Sequence, residues 1–221
     1  MNAIILNAGM SSAKMKTYEP RAILKINGTT LIENQYLVLK KAGFNEIRTV
    51  VGYKSDKLIK KINHLPIEVI NNPKYEETNN AYSLKLAYKN SDRQMLLVHG
   101  DILFDLNAVS FDKTKSCLVV DRNKRMKAKE VGVVCSDIAT NLSYGISTKW
   151  CQIAFFTGQE FEILYDVLMS VNVDKKLTFE LINSVIQAGG VFDCYEHPDM
   201  KILEIDSIGD FRNEKNKNTN C

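Results

Sequence analysis

The chain has 221 residues, 45% of them hydrophobic, which is enough to bury the core of one α/β domain. Its 29 basic and 26 acidic residues give a formal charge of +3, too mild to argue for nucleic acid as a partner. Five scattered cysteines with no C-x-x-C spacing indicate neither a disulfide framework nor a zinc site and point to a reducing, cytoplasmic setting, and with no apolar run near ~18 residues neither a leader nor a membrane segment is expected.

A short apolar run, Ile4 to Leu6, empties into Asn7-Ala8-Gly9-Met10-Ser11-Ser12, which predicts a buried first strand ending in a tight loop. Small residues let successive backbone N–H groups converge on one point, and such a concavity binds anions, phosphates in particular. Neither a G-x-G-x-x-G fingerprint nor a Walker Lys-Ser/Thr is present. This opening, followed by Pro20-Arg21 and Asn27-Gly28-Thr29-Thr30-Leu31-Ile32, resembles the nucleotidyltransferase family, whose members join a nucleoside triphosphate to a phosphorylated small molecule. The resemblance implies a nucleotide held by Leu6, Asn7, Ala8, Gly9, Met10 and Ser11, with Lys14 and Arg21 as the cations on its phosphates. Ala13 stands where the family's loop arginine is expected, and Arg21 where its lysine follows proline. The second change keeps the charge but trades a compact ammonium for a planar fork.

Further along, Asn27-Gly28 predicts a tight turn, residues 30–42 repeat apolar positions at helical spacing, and residues 47–51 form a strand. A helix over 55–63 and a strand over 67–70 continue an alternation that signals βαβ units. Asn79 or Thr78 then caps a helix running through Tyr88. The order N-P-x-Y-x-x-T-N-N-x-Y-S-L is similar to that of the family members making cytidine diphosphate derivatives of phosphocholine and related phosphoesters or phosphonates. On that resemblance Asn79, Asn80 and Ser83 read a pyrimidine or bind phosphate, for which amides carry both donor and acceptor.

The apolar strand 95–98 runs into His99-Gly100-Asp101 and places a carboxylate at the sheet rim, where a divalent cation bridging phosphates would use it. In the resemblance Asp101 falls on the family's first metal aspartate. His99 reads as a packing histidine rather than a proton carrier. Between residues 116 and 156 short strands predict an antiparallel hairpin-type insertion, with a basic run that reads by default as a solvated face. The resemblance makes Lys127 or Lys149 an acceptor-phosphate clamp there. Trp150, with Tyr82 and Tyr144, would wall a cation pocket if the acceptor carries a quaternary ammonium. Amphipathic helices over 160–171 and 178–188 follow, then a strand at 191–195, and Glu204-Ile205-Asp206-Ser207 reads as an alternating strand followed by an N-capped helix. The segment Glu204-Ile205-Asp206 matches the family's second metal aspartate at Asp206, and a polar tail follows from 212 to 221.

The expected fold is α/β and Rossmann-like: a mostly parallel mixed central sheet, helices on both faces and a small antiparallel hairpin insertion, all within one domain over residues 1–211. The expected reaction is attack by an acceptor phosphate on the α-phosphorus of CTP, with Mg2+ on Asp101 and Asp206 and pyrophosphate leaving. Asp101 and Arg21 would carry the catalysis. A phosphomonoester is mostly ionised near neutral pH, its second pKa being about 6, so no general base is required. Phosphocholine or an aminoalkyl phosphonate is the favoured acceptor. The alternatives are a sugar-1-phosphate nucleotidyltransferase and a non-catalytic nucleotide-binding regulatory protein on the same fold. Neither a nucleic acid nor a membrane is an expected partner, and a monomer or a homodimer fits.

Overall fold

A computed structural model describes residues 1–9, 19–124 and 126–205. The first apolar run is β1 (Asn2–Asn7), with Ala3, Ile4 and Ile5 fully buried. Asn27 and Gly28 both take positive φ, 53° and 87°, and close a small hairpin of β2 (Lys25–Ile26) and β3 (Thr29–Thr30), as an Asn-Gly turn requires. The helix α1 (Leu31–Lys41) begins with a capping box: Thr30 Oγ1 accepts from the Glu33 amide, and the Thr30 amide donates to Glu33 Oε2 at 2.7 Å. Then come β4 (Glu46–Val51), α2 (Ser55–Ile62), β5 (Glu68–Asn71), α3 (Asn80–Ala87), β6 (Gln94–His99) and β7 (Ile102–Phe104). The second half runs β8 (Cys117–Asp121), β9 (Val131–Cys135), β10 (Ala139–Tyr144), β11 (Lys149–Thr157), α4 (Gly158–Leu168), α5 (Thr178–Gln187), β12 (Asp193–Tyr195) and β13 (Ile202–Glu204).

The main sheet has the order β10-β9-β11-β6-β1-β4-β5, with β8 paired to β11 and β12. Strands β5, β4, β1 and β6 run parallel, whereas β11 runs antiparallel to β6. Here the structure corrects the sequence reading. Within residues 116–156 only β9 and β10 form a hairpin, and all of β8, β9, β10 and β11 join the main sheet, while β7 pairs with β13.

Side chains alternate between the two faces, and each face has its own core. Ile4, Leu97, Ala154 and Phe156 pack under α3, α4 and α5, while Ala3, Ile5, Leu96, Val98, Ile153 and Phe155 pack under α1 and α2. Strand β1 therefore lies in the middle of the sheet, with β4 and β6 on opposite sides. The chain reverses its direction of travel across the sheet at that point, and such a switch opens a crevice at the strands' C-terminal ends.

Candidate functional site

Register brings the two strand ends together. Leu6 lies opposite His99, and the Gly100 amide donates to the Leu6 carbonyl at 3.0 Å. A Cβ at position 100 would sit 1.8 Å from Asn7 Oδ1, so only glycine lets the Asp101 turn approach the end of β1. Asn7 is fixed in turn by donating from Nδ2 to Thr49 Oγ1 at 3.0 Å. Gly52 does a similar job on the other flank, where a Cβ would meet Tyr75 at 2.6 Å and the Ala8 carbonyl at 2.8 Å.

A cavity of about 420 Å3 opens above these ends. Of the residues the sequence singles out for the nucleotide, Leu6, Asn7, Ala8, Gly9, Arg21, Asn79, Asn80 and Ser83 line it, together with Asp101. Met10, Ser11, Lys14 and Asp206 lie outside the described residues. Arg21 donates from Nη1 to Asp101 Oδ2 at 2.6 Å and to the Ile205 carbonyl at 3.3 Å. The other carboxylate oxygen, Asp101 Oδ1, is buried with no hydrogen-bond partner among the described residues.

The asparagines of α3 are half committed to the fold. Asn79 donates from Nδ2 to the Lys175 carbonyl, and Asn80 Oδ1 accepts from the Thr178 amide at 2.7 Å. Each amide spends one end on the segment 175–178, which leaves an acceptor on Asn79 and donors on Asn80 with no hydrogen bond among the described residues. Asn72, the first residue of the N-P-x-Y segment, lines the same cavity and donates to Ser83 Oγ at 3.1 Å.

A second cavity of about 160 Å3 shares Asn80, His99 and Leu177 with the first. Tyr144, Trp150 and Phe179 give it aromatic walls, with Tyr144 edge-on to Phe179 at 5.4 Å between centroids. Lys149 is buried and donates to Glu130 Oε1 at 2.6 Å and Glu204 Oε2 at 2.7 Å. Burial opposes its charge, but its hydrogen bonds to the two carboxylates outweigh that and hold the ammonium above its ordinary range. Glu130 is buried as well, which favours its neutral acid; the Lys127 amide and the Lys149 ammonium win and keep its pKa below the usual value.

Several sequence assignments change here. Lys149 is no free phosphate clamp, because two carboxylates take up its ammonium. Lys127 is exposed and lines neither cavity, giving only its backbone amide to Glu130 Oε2; Lys129 lines the smaller cavity instead. Tyr82 lines neither, since Asn80 and Ser83 are one helical turn apart on α3 and a residue between them points elsewhere. Trp150 is buried with its indole N–H on the Ile153 carbonyl at 3.1 Å, so it serves the core and offers an edge of its ring to the pocket.

Glu130, Glu204 and Phe179 are functional candidates that the sequence reading missed, because the pairings that gather them are long-range. His99 lies between the cavities, its Nε2 2.8 Å from Thr178 Oγ1 and its ring edge-on to Trp150 at 5.6 Å. Burial holds its imidazole below the ordinary pKa, in the neutral form.

Residues 3–111 match the MobA-like NTP transferase domain family. Choline-phosphate cytidylyltransferase of Streptococcus pneumoniae is 32% identical over 118 residues, 52% of this chain and 51% of that protein. CTP:phosphoglutamine cytidylyltransferase of Campylobacter jejuni is 31% identical over 137 residues, 56% and 53% of the two chains. In sequence the chain spans about half the length of these curated relatives. The fold is similar to the solved structure of CTP:phosphocholine cytidylyltransferase from Streptococcus pneumoniae, with a TM-score of 0.81 at 22% identity over 98% of each chain. The similarity to the MobA-like NTP transferase domain thus covers residues 3–111, just under half of the chain.

Proposed function

We propose that the chain is a Mg2+-dependent cytidylyltransferase that moves CMP from CTP to a small phosphorylated acceptor with a cationic head, such as phosphocholine or an aminoalkyl phosphonate. One observation carries this reading: the cavity lined by the first loop, Arg21, Asp101 and the α3 asparagines adjoins a smaller, aromatic-walled one, so two substrates fit end to end. The half-free amides of Asn79 and Asn80 suit the mixed donor and acceptor edge of cytosine. Tyr144 and Phe179, together with Glu204, suit an ammonium group, and the exposed Lys129 suits the acceptor's phosphate.

Magnesium takes oxygen ligands, commonly one or two carboxylates plus substrate phosphates. The partnerless Oδ1 of Asp101 fits that demand, and Asp206 is the second carboxylate in this reading. Bound there, the ion would supply positive charge that offsets the charge on the phosphates. The protein's own part is to position and to stabilise. An acceptor phosphate oxygen forms the new bond to the α-phosphorus as the bond to pyrophosphate breaks, and Arg21 meets the charge that gathers on the phosphates. The acceptor arrives ionised, so neutral His99 has no proton to take.

The test is pyrophosphate release with Mg2+, each of the four nucleoside triphosphates being paired with phosphocholine, aminoethylphosphonate, amino-acid phosphates and sugar 1-phosphates. CTP with one small cationic acceptor is the expected signal. Release with sugar 1-phosphates alone would overturn the acceptor assignment, and no release from any pair would overturn the activity.

A further inference from the structure

The turn that carries Asp101 is held from behind by a side chain that lines neither cavity. Gln35, in the middle of α1, is 1% exposed, and its Nε2 donates to the His99 carbonyl at 3.0 Å and the Ile102 carbonyl at 2.8 Å. Those carbonyls bracket Gly100 and Asp101, and both hydrogens of one amide nitrogen are spent on them. The other end of the amide has nothing: Oε1 is buried without a partner among the described residues. A buried acceptor left unpaired is a standing penalty. Helix packing does not explain it, because leucine or methionine would fill the same place beside Leu31, Ile32 and Leu39 with no polar atom to satisfy.

What the glutamine adds is therefore its donor pair. The turn is otherwise tied by the Gly100 amide on the Leu6 carbonyl and by the Ile205 amide on the Asp101 carbonyl at 2.8 Å. Gln35 supplies the third tie, from the helix side of the sheet. We infer that Gln35 is a positioning residue for Asp101, fixing the turn so that its carboxylate meets a divalent cation carried in with the nucleotide phosphates. This rests on reading the larger cavity as a metal-nucleotide site.

Partners of this kind behind a metal-ligating carboxylate are worth roughly 10- to 100-fold in metal affinity. The experiment is Mn2+ binding in the presence of CTP, followed by electron paramagnetic resonance, for the full chain, Gln35→Met and Leu39→Ala. Gln35→Met keeps the shape and removes the donors; Leu39→Ala opens a cavity in the same helix one turn on and loses stability without touching the turn. The expected result is a 10- to 100-fold weaker Mn2+ affinity in Gln35→Met only, with metal-free CTP binding unchanged. Equal Mn2+ affinity in Gln35→Met and the parent would overturn the inference, as would an equal loss in Leu39→Ala. If the parent chain binds no Mn2+ with CTP, it is the reading of the cavity that fails. Gln35→Glu, which replaces the donor with an oxygen at the same length, carries the same test if Gln35→Met does not fold.

Discussion

Arg21 and Asp101 hold each other at 2.6 Å inside the larger cavity, an ion pair between the cation that follows Pro20 and the carboxylate that follows β6. Each is about a fifth exposed, so the pair itself contributes little to stability, about 0–1 kcal/mol. Under the proposed function its worth lies in the charges it keeps ready for phosphate and metal. Asp101→Asn is expected to lower turnover by roughly 100- to 1000-fold or more while the melting temperature stays within a few degrees. Arg21→Met should lose activity on the same scale, and Arg21→Lys should retain more, because the charge survives the change of shape. Steady-state rates and thermal melts of the three variants check this.

A second ion pair is structural. The Arg48 side chain on β4 is only 2% exposed and is met by Asp92 through its two terminal nitrogens, with Nε on Glu68 at 3.3 Å and the Ala87 carbonyl accepting at 3.1 Å. Burial opposes the charge, but the hydrogen bonds to Asp92 prevail and raise the guanidinium's pKa. Asp92→Ala removes two charge-assisted hydrogen bonds and leaves the buried guanidinium to the more exposed Glu68 at 3.3 Å and Glu46 at 3.7 Å, so it should cost about 3 kcal/mol in urea unfolding. The folded fraction should keep the parent's kcat, since neither residue lines a cavity.

Lys149 predicts a pH signature. The pKa of Glu130 is depressed below its ordinary 4.5, so its contribution to stability is fully present above pH 4.5 and is lost as pH falls through the lower, folded value. Lys149→Met removes the ammonium that helps depress it and leaves Glu130 beside Glu204. The folded Glu130 pKa should then rise above the unfolded one, reversing the sign. The variant should be destabilised by about 3–5 kcal/mol at pH 7, and the gap to the parent should narrow as pH drops towards 4.5. Urea midpoints across that range provide the measurement.

Much of this arrangement was legible in the sequence because it rests on local pattern. The apolar run before Asn7, the Asn-Gly turn and the strand ending in Gly-Asp each announce themselves within a few residues, and the parallel half of the sheet follows from their alternation. The acceptor side was not legible. Lys149 reads as a candidate phosphate clamp until β11 pairs with β6 and β8 and carries it inward to Glu130 and Glu204. Gln152 in the same strand takes φ 58°, between the Trp150 and Ala154 pairings with β8, and lines the pocket through an irregularity that no periodicity encodes. Tyr82 shows the opposite error. The segment does reach the cavity, but its phase on α3 brings Asn80 and Ser83 to it rather than Tyr82.

The aromatic walls should govern the acceptor and leave the nucleotide alone. Tyr144→Ala is expected to raise the acceptor KM by roughly 5- to 30-fold, the scale of a lost cation–aromatic contact, with the CTP KM unchanged. Equal effects on both substrates would move Tyr144 out of the acceptor site.

The most direct measurement is 31P NMR of CTP, Mg2+ and phosphocholine incubated with the chain. Transfer predicts a new phosphodiester-linked diphosphate and free pyrophosphate appearing in equal amounts as CTP and phosphocholine fall together. CTP consumed to nucleotide and phosphate with phosphocholine intact, or CTP left whole under conditions where it binds, would contradict the account.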